Sequence, residues 1–352
     1  IEVIPASTLG ELVLHLNAKK PIDPALRWEF ASEEGNGSVG CYADMRDVRG
    51  QESAKRALEI AAAGGHNILL YGPPGSGKTM LARALPSILP QLTLEESLEI
   101  TKIFSVAGKL RRDEALVSIR PFRSPHHSAS AVSLVGGGTV PRPGEISLAH
   151  RGVLFLDEFA EFSRVVIEHL RQPLEDGMIT VSRSKGTLQF PARFMLVAAM
   201  NPCPCGNYGD PGRMCSCHPT LITNYQKKIS GPILDRIDLV VSVGRLPIEK
   251  IDTSSAHCEE SMTIRKRVES ARSAQRKRLS DHAIMTNSEM STKHIEEVCS
   301  LSEDCKEILR SAVSTYHLSA RSYFRVIKVA RTIADLEGVE EIQPYHIAEA
   351  VQ

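Results

Sequence analysis

Ile68-Leu69-Leu70-Tyr71-Gly72-Pro73-Pro74-Gly75-Ser76-Gly77-Lys78-Thr79 is the stretch on which the reading of this chain turns. Four residues with the look of a buried strand run into a glycine-rich loop, and an apolar helical pattern follows. The loop fits G-x-x-x-x-G-K-S/T, in which backbone N–H groups curl around phosphate oxygens where a side chain would clash. The N-terminus of the next helix adds its positive dipole end. Gly72, Pro73, Pro74, Gly75, Ser76 and Gly77 are therefore expected to cradle ATP. Lys78 is expected to reach the β- and γ-phosphates and Thr79 to place its hydroxyl on Mg²⁺. A glycine-rich turn with a surface lysine is the bland alternative, but the motif sits between strand and helix, as the chemistry requires.

Working outward, Val153-Leu154-Phe155-Leu156-Asp157-Glu158 is an apolar run ending in two acids, about 80 residues beyond the glycine loop. Carboxylates at the C-terminal edge of a central strand face the ligand crevice. Asp157 suits Mg²⁺, and Glu158 suits polarising an attacking water. Another apolar run, Phe194 to Ala199, leads into Met200-Asn201-Pro202, so Asn201 is a candidate to hold that water or the γ-phosphate. The competing reading has Asn201 merely starting a turn. In Gly231-Pro232-Ile233-Leu234-Asp235-Arg236-Ile237-Asp238, Arg236 lies just before a further apolar run, Leu239 to Val243. An arginine there can act as a finger on a neighbouring subunit's γ-phosphate, or simply pair with Asp235 or Asp238. Ser319-Ala320-Arg321-Ser322 opens a helix and makes Arg321 a candidate second phosphate sensor, with Arg325 one turn on as its competitor.

Short apolar runs separated by helical patterns predict an α/β fold, a mostly parallel sheet with helices on both faces. Beyond about Leu246 the pattern is helical, at 262–279, 295–298, 306–315 and 323–336. The expected organisation is a lead-in over 1–42, an ATPase core over 43–245 and a helical lid over 246–352. The chain begins at Ile1 without a signal-peptide pattern and reads as part of a longer protein. Forty-two basic residues balance forty-two acidic ones, so no global field draws it to nucleic acid or membrane. No apolar run approaches the ~20 residues of a membrane span. The basic stretch from Arg265 to Arg278 reads as a solvated helix face, and His126-His127 carries no metal-ligand spacing.

Four of the eight cysteines crowd together as Cys203-Pro204-Cys205 and Cys215-Ser216-Cys217. In a chain with a nucleotide motif and no secretion signal, a disulfide framework is not the expectation, and the cytoplasm is the natural compartment. Four soft thiolates are candidates for a tetrahedral Zn²⁺ site. The C-x-C spacing is tighter than the usual C-x₂₋₄-C, and His218 is a possible substitute ligand. A reduced loop that binds nothing is the alternative.

Gly-Pro-Pro-Gly-Ser-Gly-Lys-Thr (72–79), Arg-Pro-Phe-Arg-Ser-Pro-His-His-Ser-Ala-Ser (120–130) and Gly-Gly-Gly-Thr-Val-Pro-Arg-Pro-Gly-Glu-Ile-Ser-Leu-Ala-His (136–150) resemble the magnesium-chelatase-like branch of AAA+ ATPases. Asn-Pro-Cys-Pro-Cys-Gly (201–206) and Ser-Gly-Pro-Ile-Leu-Asp-Arg-Ile-Asp-Leu (230–239) narrow the resemblance to the ComM/YifB type. It covers about residues 43–340 and implies a homo-hexameric, ATP-driven motor on single-stranded or branched DNA, promoting branch migration in natural transformation. It also implies an N-terminal domain beyond Ile1, a loop inserted at 130–147 and a hairpin at 178–190. Such elements line the pore in related helicases, and Arg183 and Lys185 at the hairpin tip would touch DNA phosphates as positioning contacts. A solvated tip is the plain alternative. The competing function is protein remodelling, of the metal-chelatase-subunit or MoxR-like kind. A nucleotide-gated scaffold is a third, disfavoured by Glu158, Asn201 and Arg236.

Overall fold

The computed structural model describes residues 4–24, 43–111, 114–138, 141–183, 186–245, 258–282 and 284–352. They fall into two units, Ile1–Gly37 and Ser38–Gln352. The first carries helix α1 (Leu9–Leu16), whose first turn is capped by the Thr8 hydroxyl accepting from the Glu11 N–H. Much of the expected lead-in, residues 25–42, lies outside the described residues.

In the second unit, α2 (Glu52–Gly64) ends where Gly65 turns to φ 72°. There follow β1 (Ile68–Tyr71), α3 (Lys78–Ile88), α4 (Leu94–Val106), β2 (Phe122–Arg123), α5 (Ala131–Val135), β3 (Gly136–Gly137), β4 (Arg142–Pro143), α6 (Glu145–Leu148) and β5 (Val153–Leu156). After these come α7 (Arg164–Glu168), α8 (Arg171–Asp176), the hairpin β6 (Met178–Arg183) and β7 (Gly186–Pro191), then β8 (Met195–Met200), α9 (Pro219–Gln226), α10 (Gly231–Leu234) and β9 (Leu239–Ser242). The five-stranded sheet has the order β2-β5-β8-β1-β9, with every pairing parallel. The fold is the α/β class that the apolar runs predict.

Burial explains why those runs are continuous rather than alternating. Ile68, Leu70, Val153, Phe155, Val197 and Ala199 pack on one face with α2 and α3. Leu69, Leu154, Leu156, Leu196 and Ala198 pack on the other with α7 and the β6–β7 hairpin. A sheet covered on both faces needs apolar residues at every position. The insertion at 130–147 is α5, β3, β4 and α6, and it packs against β6. Ile179, Val181 and Phe190 share the buried face of the hairpin, while Ser182 and Gln189 on the other face are exposed; Leu188, opposite Val181 on the buried face, is also exposed.

The helical portion comprises α11 (Ser261–Arg278), α12 (Thr292–Val298), α13 (Glu303–Tyr316), α14 (Ala320–Glu337) and α15 (Pro344–Val351). Ile264, Val268 and Ala271 of α11 belong to the sheet's own core cluster. The expected solvated basic face of α11 needs correcting. Arg265 donates to Ser87 O, Arg267 pairs with Glu59 and Glu259, Arg272 donates to Ala62 O, and Arg278 pairs with Asp335. The guanidiniums of Arg265, Arg272 and Arg278, with that of Arg267, dock the helix on α2, α3 and α14; Lys266, Arg276 and Lys277 remain exposed.

A buried polar chain joins the helical portion to the sheet. Asp335 takes Arg278 at 2.7 Å, Arg331 at 3.0 Å and the Asn287 amide at 2.8 Å. Asn287 donates to Thr332 Oγ1 at 3.0 Å, which lies 2.9 Å from His66 Nε2, while His66 Nδ1 lies 3.3 Å from Asp238. Removing one partner of such a group strands the others' charge, at a cost of about 3–5 kcal/mol. Asp335→Ala should therefore lower equilibrium stability in urea by about 3 kcal/mol or more. A loss under about 1 kcal/mol would show that the two arginines find other partners.

Candidate nucleotide-binding site

The carboxyl ends of β1, β5 and β8 bring the candidate residues together. Gly77 takes φ 94°, a left-handed conformation that turns the chain into α3 at no steric cost. Gly72 passes so close to β9 that a Cβ there would lie 2.1 Å from Val243 O. Held by this turn, the buried Lys78 ammonium donates to Gly72 O at 2.7 Å, Pro73 O at 2.8 Å and Asn201 Oδ1 at 3.2 Å. Burial pushes its pKa down to about 8, and the nearby Asp157 charge opposes that shift.

Thr79 Oγ1 donates to Asp157 Oδ2 at 2.8 Å, and the Glu158 N–H donates to Asp157 Oδ1 at 2.9 Å. Glu158 sits at φ 52°, a left-handed conformation costing a non-glycine residue of the order of 1–3 kcal/mol. That turn carries its carboxylate out of the strand line, where Oε2 meets His127 Nδ1 at 3.0 Å. His127 is a site residue that sequence reasoning does not identify. Nothing in spacing links it to Glu158, and only the pairing of β2 with β5 brings the segment after Arg123 alongside.

Arg236 and Arg321 lie elsewhere. They line a cleft of about 740 Å³ together with Asn67, Gly152 and Met195, at the amino ends of β1, β5 and β8. None of residues 72–79, Asp157, Glu158 or Asn201 lines it. Arg236 is bonded to Glu175 and donates to Pro232 O at 2.6 Å, rather than pairing with Asp235 or Asp238. That guanidinium holds the Glu175 carboxyl below its usual range. Arg325 donates to Leu234 O and Ile237 O, the carbonyls flanking Arg236, and to Ser322 Oγ. It is thus committed to the Arg236 turn, while Arg321 is exposed.

The four cysteines converge, with their sulfurs all within 4.8 Å of one another. Cys203 is 3.4 Å from Cys205 and 3.7 Å from Cys215, and Cys205 is 3.6 Å from Cys215. The backbone N–H groups of Asn207 and Ser216, with the Cys203 side chain, hold the Cys205 thiol down to about 6. His218 is not among the converging groups: it caps α9, with Nδ1 3.0 Å from Thr220 Oγ1. Lys185 and the Arg183 side chain lie outside the described residues. Among those residues no helix is long and apolar enough to cross a membrane.

Comparison with known proteins agrees with this geometry. The family described as magnesium chelatase, subunit ChlI, matches residues 44–251, and the C-terminal family of the same subunit matches 258–352. Competence protein ComM of Haemophilus influenzae is 45% identical over 98% of this chain and 66% of its own length. The uncharacterised YifB protein of Escherichia coli is 45% identical over 88% of the chain and 60% of its own. A magnesium-chelatase 67 kDa subunit of Chlorobaculum parvum is 30% identical over 44% of the chain and 23% of its own. The chain thus spans 60–66% of the length of the ComM and YifB relatives just described. Its sheet order, its phosphate loop and these matches place the chain in the magnesium chelatase ChlI family of AAA+ ATPases, in the ComM/YifB branch.

Proposed function

We propose that this chain is the motor portion of a cytoplasmic, homo-hexameric ATPase that moves along single-stranded or branched DNA. Its helicase-type work would serve branch migration in the recombination accompanying natural transformation. The observation that carries hydrolysis is the bonded set of Lys78, Thr79, Asp157 and Asn201 at one sheet edge, with Glu158 beside it. Similarity along nearly the whole chain to a protein named for competence supports the DNA reading.

In this account the three neutral acceptors of Lys78 give way to phosphate oxygens, whose negative charge raises its pKa from about 8. Thr79 and Asp157 are hard oxygen donors placed side by side, the set that suits Mg²⁺. When bound, that ion neutralises charge on the β- and γ-phosphates. Glu158 takes a proton from the attacking water, His127 orients its carboxylate, and Asn201 orients the γ-phosphate or that water. Arg236 and Arg321 share a cleft on the opposite strand edge, so they serve a neighbouring protomer's triphosphate rather than their own. Ring assembly then completes each site.

The four sulfurs form a Zn²⁺ site in the same reading. A tetrahedron with Zn–S distances of ~2.3 Å has edges of ~3.8 Å, close to the 3.4–3.7 Å separations of three of the pairs. The hairpin tip, with Arg183 and Lys185, supplies the DNA contacts. Protein remodelling is the second reading, supported by the chelatase-subunit match over 44% of the chain.

The test is ATPase rate with and without single-stranded DNA on rings of known assembly. DNA stimulation supports the motor; stimulation by a protein alone selects the remodeller. For the chemistry, Lys78→Ala should lose nucleotide binding. Glu158→Gln should retain it while turnover falls by about 10²–10⁴; normal turnover in that variant would remove Glu158 from the role. For DNA, the double variant Arg183→Ala with Lys185→Ala should bind more weakly irrespective of sequence. Its log–log salt slope should flatten by roughly 0.7–0.9 per lost phosphate contact. Unchanged slope and affinity would return the tip to solvent.

A further inference from the structure

We infer that the four-cysteine loop is a brace behind the phosphate loop, so that Zn²⁺ occupancy at the cysteines sets the affinity for nucleotide. This rests on the metal reading above and adds a consequence for the ATP site. The contact is direct: Gly206, at φ 80°, lies against Pro74 so closely that a Cβ there would fall 2.5 Å from the proline Cδ. Cys203 follows Asn201 by two residues, and the Asn201 amide oxygen accepts from Lys78.

The rest of the loop is tied to the same frame. Asp210 pairs with Arg245 at 3.0 Å. Gly244, beside that arginine, accepts from Gln51 Nε2 at 2.7 Å, and the same amide donates to Ser76 O in the phosphate loop at 3.2 Å. Pro202 O accepts from Gln226 Nε2 at 3.2 Å, and Gln226 also meets the Tyr71 hydroxyl at 3.3 Å. Pro74 and Asn201 thus adjoin the segment from Pro202 to Cys217 directly, and Ser76 reaches it through Gln51, Gly244 and Arg245.

That segment has little else to hold it. Residues 203–217 carry no helix or strand, Met214 is 96% exposed, and no cysteine of the four belongs to the sheet's two core clusters. Fixing such a stretch costs backbone entropy at every residue, and a structural Zn²⁺ closed by four thiolates is the kind of bond that offsets such a cost. When the metal leaves, the sulfurs separate and Gly206 withdraws from Pro74. The phosphate loop then loses its backing while both faces of the sheet stay packed.

The test uses the whole chain purified without added metal. Elemental analysis should find about one zinc per chain. A zinc-selective chelator should weaken binding of a fluorescent ATP analogue, measured in excess Mg²⁺, by roughly tenfold, or about 1.4 kcal/mol. Added zinc should restore it, and the far-UV spectrum should not change. Gly206→Ala, which keeps all four thiols, should weaken nucleotide binding with zinc content unaltered. Full nucleotide affinity after zinc removal, or in Gly206→Ala, would overturn the brace while leaving the metal site standing. Collapse of the far-UV spectrum on zinc removal would also overturn it, because the metal would then hold the fold and not the loop. Four freely titrating thiols without zinc would overturn the metal site and the brace together.

Discussion

The parallel register of β5, β8 and β1 is the constraint on which the candidate site depends. Leu156 stands opposite Ala198, and Tyr71 opposite Met200. Each strand therefore delivers its next residues to one edge: Asp157 and Glu158 from β5, Asn201 from β8, and the glycine loop from β1. The hydrogen bonds from Thr79 to Asp157 and from Lys78 to Asn201 lock these three strand ends together. A slip of one residue in β1 would send its side chains to the other face and break both bonds, and a slip in β5 or β8 would break one of them. The continuous apolar burial of the strands prevents that slip by making both faces dependent on the register.

The same parallel arrangement separates the chemistry into two edges. The candidate nucleotide-binding groups collect at the carboxyl ends and the arginine-lined cleft at the amino ends, so that in the proposed ring one chain would carry half of each of two sites. What keeps the cleft's arginines in place is the seam between sheet and helices. Asp238, two residues beyond Arg236, is tied through His66 and Thr332 to α14, the helix that Arg321 begins. Arg325, on the same helix, grips the carbonyls on either side of Arg236. A shift of α14 relative to the sheet must therefore move Arg236 and Arg321 together. In the proposed ring, that linkage would let the nucleotide state of one protomer be felt by the next.

Much of the fold was legible because its signals are local. Apolar runs gave four of the five strands of the sheet, and the glycine loop declared its own conformation. β2 was not legible: it is two residues long and exists only through pairing with β5. The shift of β8 by one residue from the expected Phe194–Ala199 is the ordinary uncertainty of a strand end in an apolar run. In the site, residues fixed by a motif were readable, whereas those fixed by convergence were not. His127 reaches Glu158 across the sheet edge, and no pattern in the sequence marks the pair. The basic face of α11 misled because charge alone does not say whether an arginine faces water or a buried carbonyl. Ala62 O and Ser87 O, the acceptors for Arg272 and Arg265, are invisible until the helix docks. The cysteine pairs stand out in the sequence, but their loop's contact with Pro74, through Gly206, depends on the path of that loop.

The claim at the centre of this account is that each ATP site is shared between protomers, with Lys78 supplied by one and Arg236 by its neighbour. Mixing Arg236→Ala chains with Lys78→Ala chains tests it most directly, because each variant alone lacks half of every site. Mixed rings should recover part of the ATPase activity at interfaces where an intact Lys78 site faces an intact Arg236. No recovery, in rings shown to contain both chains, would contradict a shared site and return Arg236 to a purely structural pairing with Glu175.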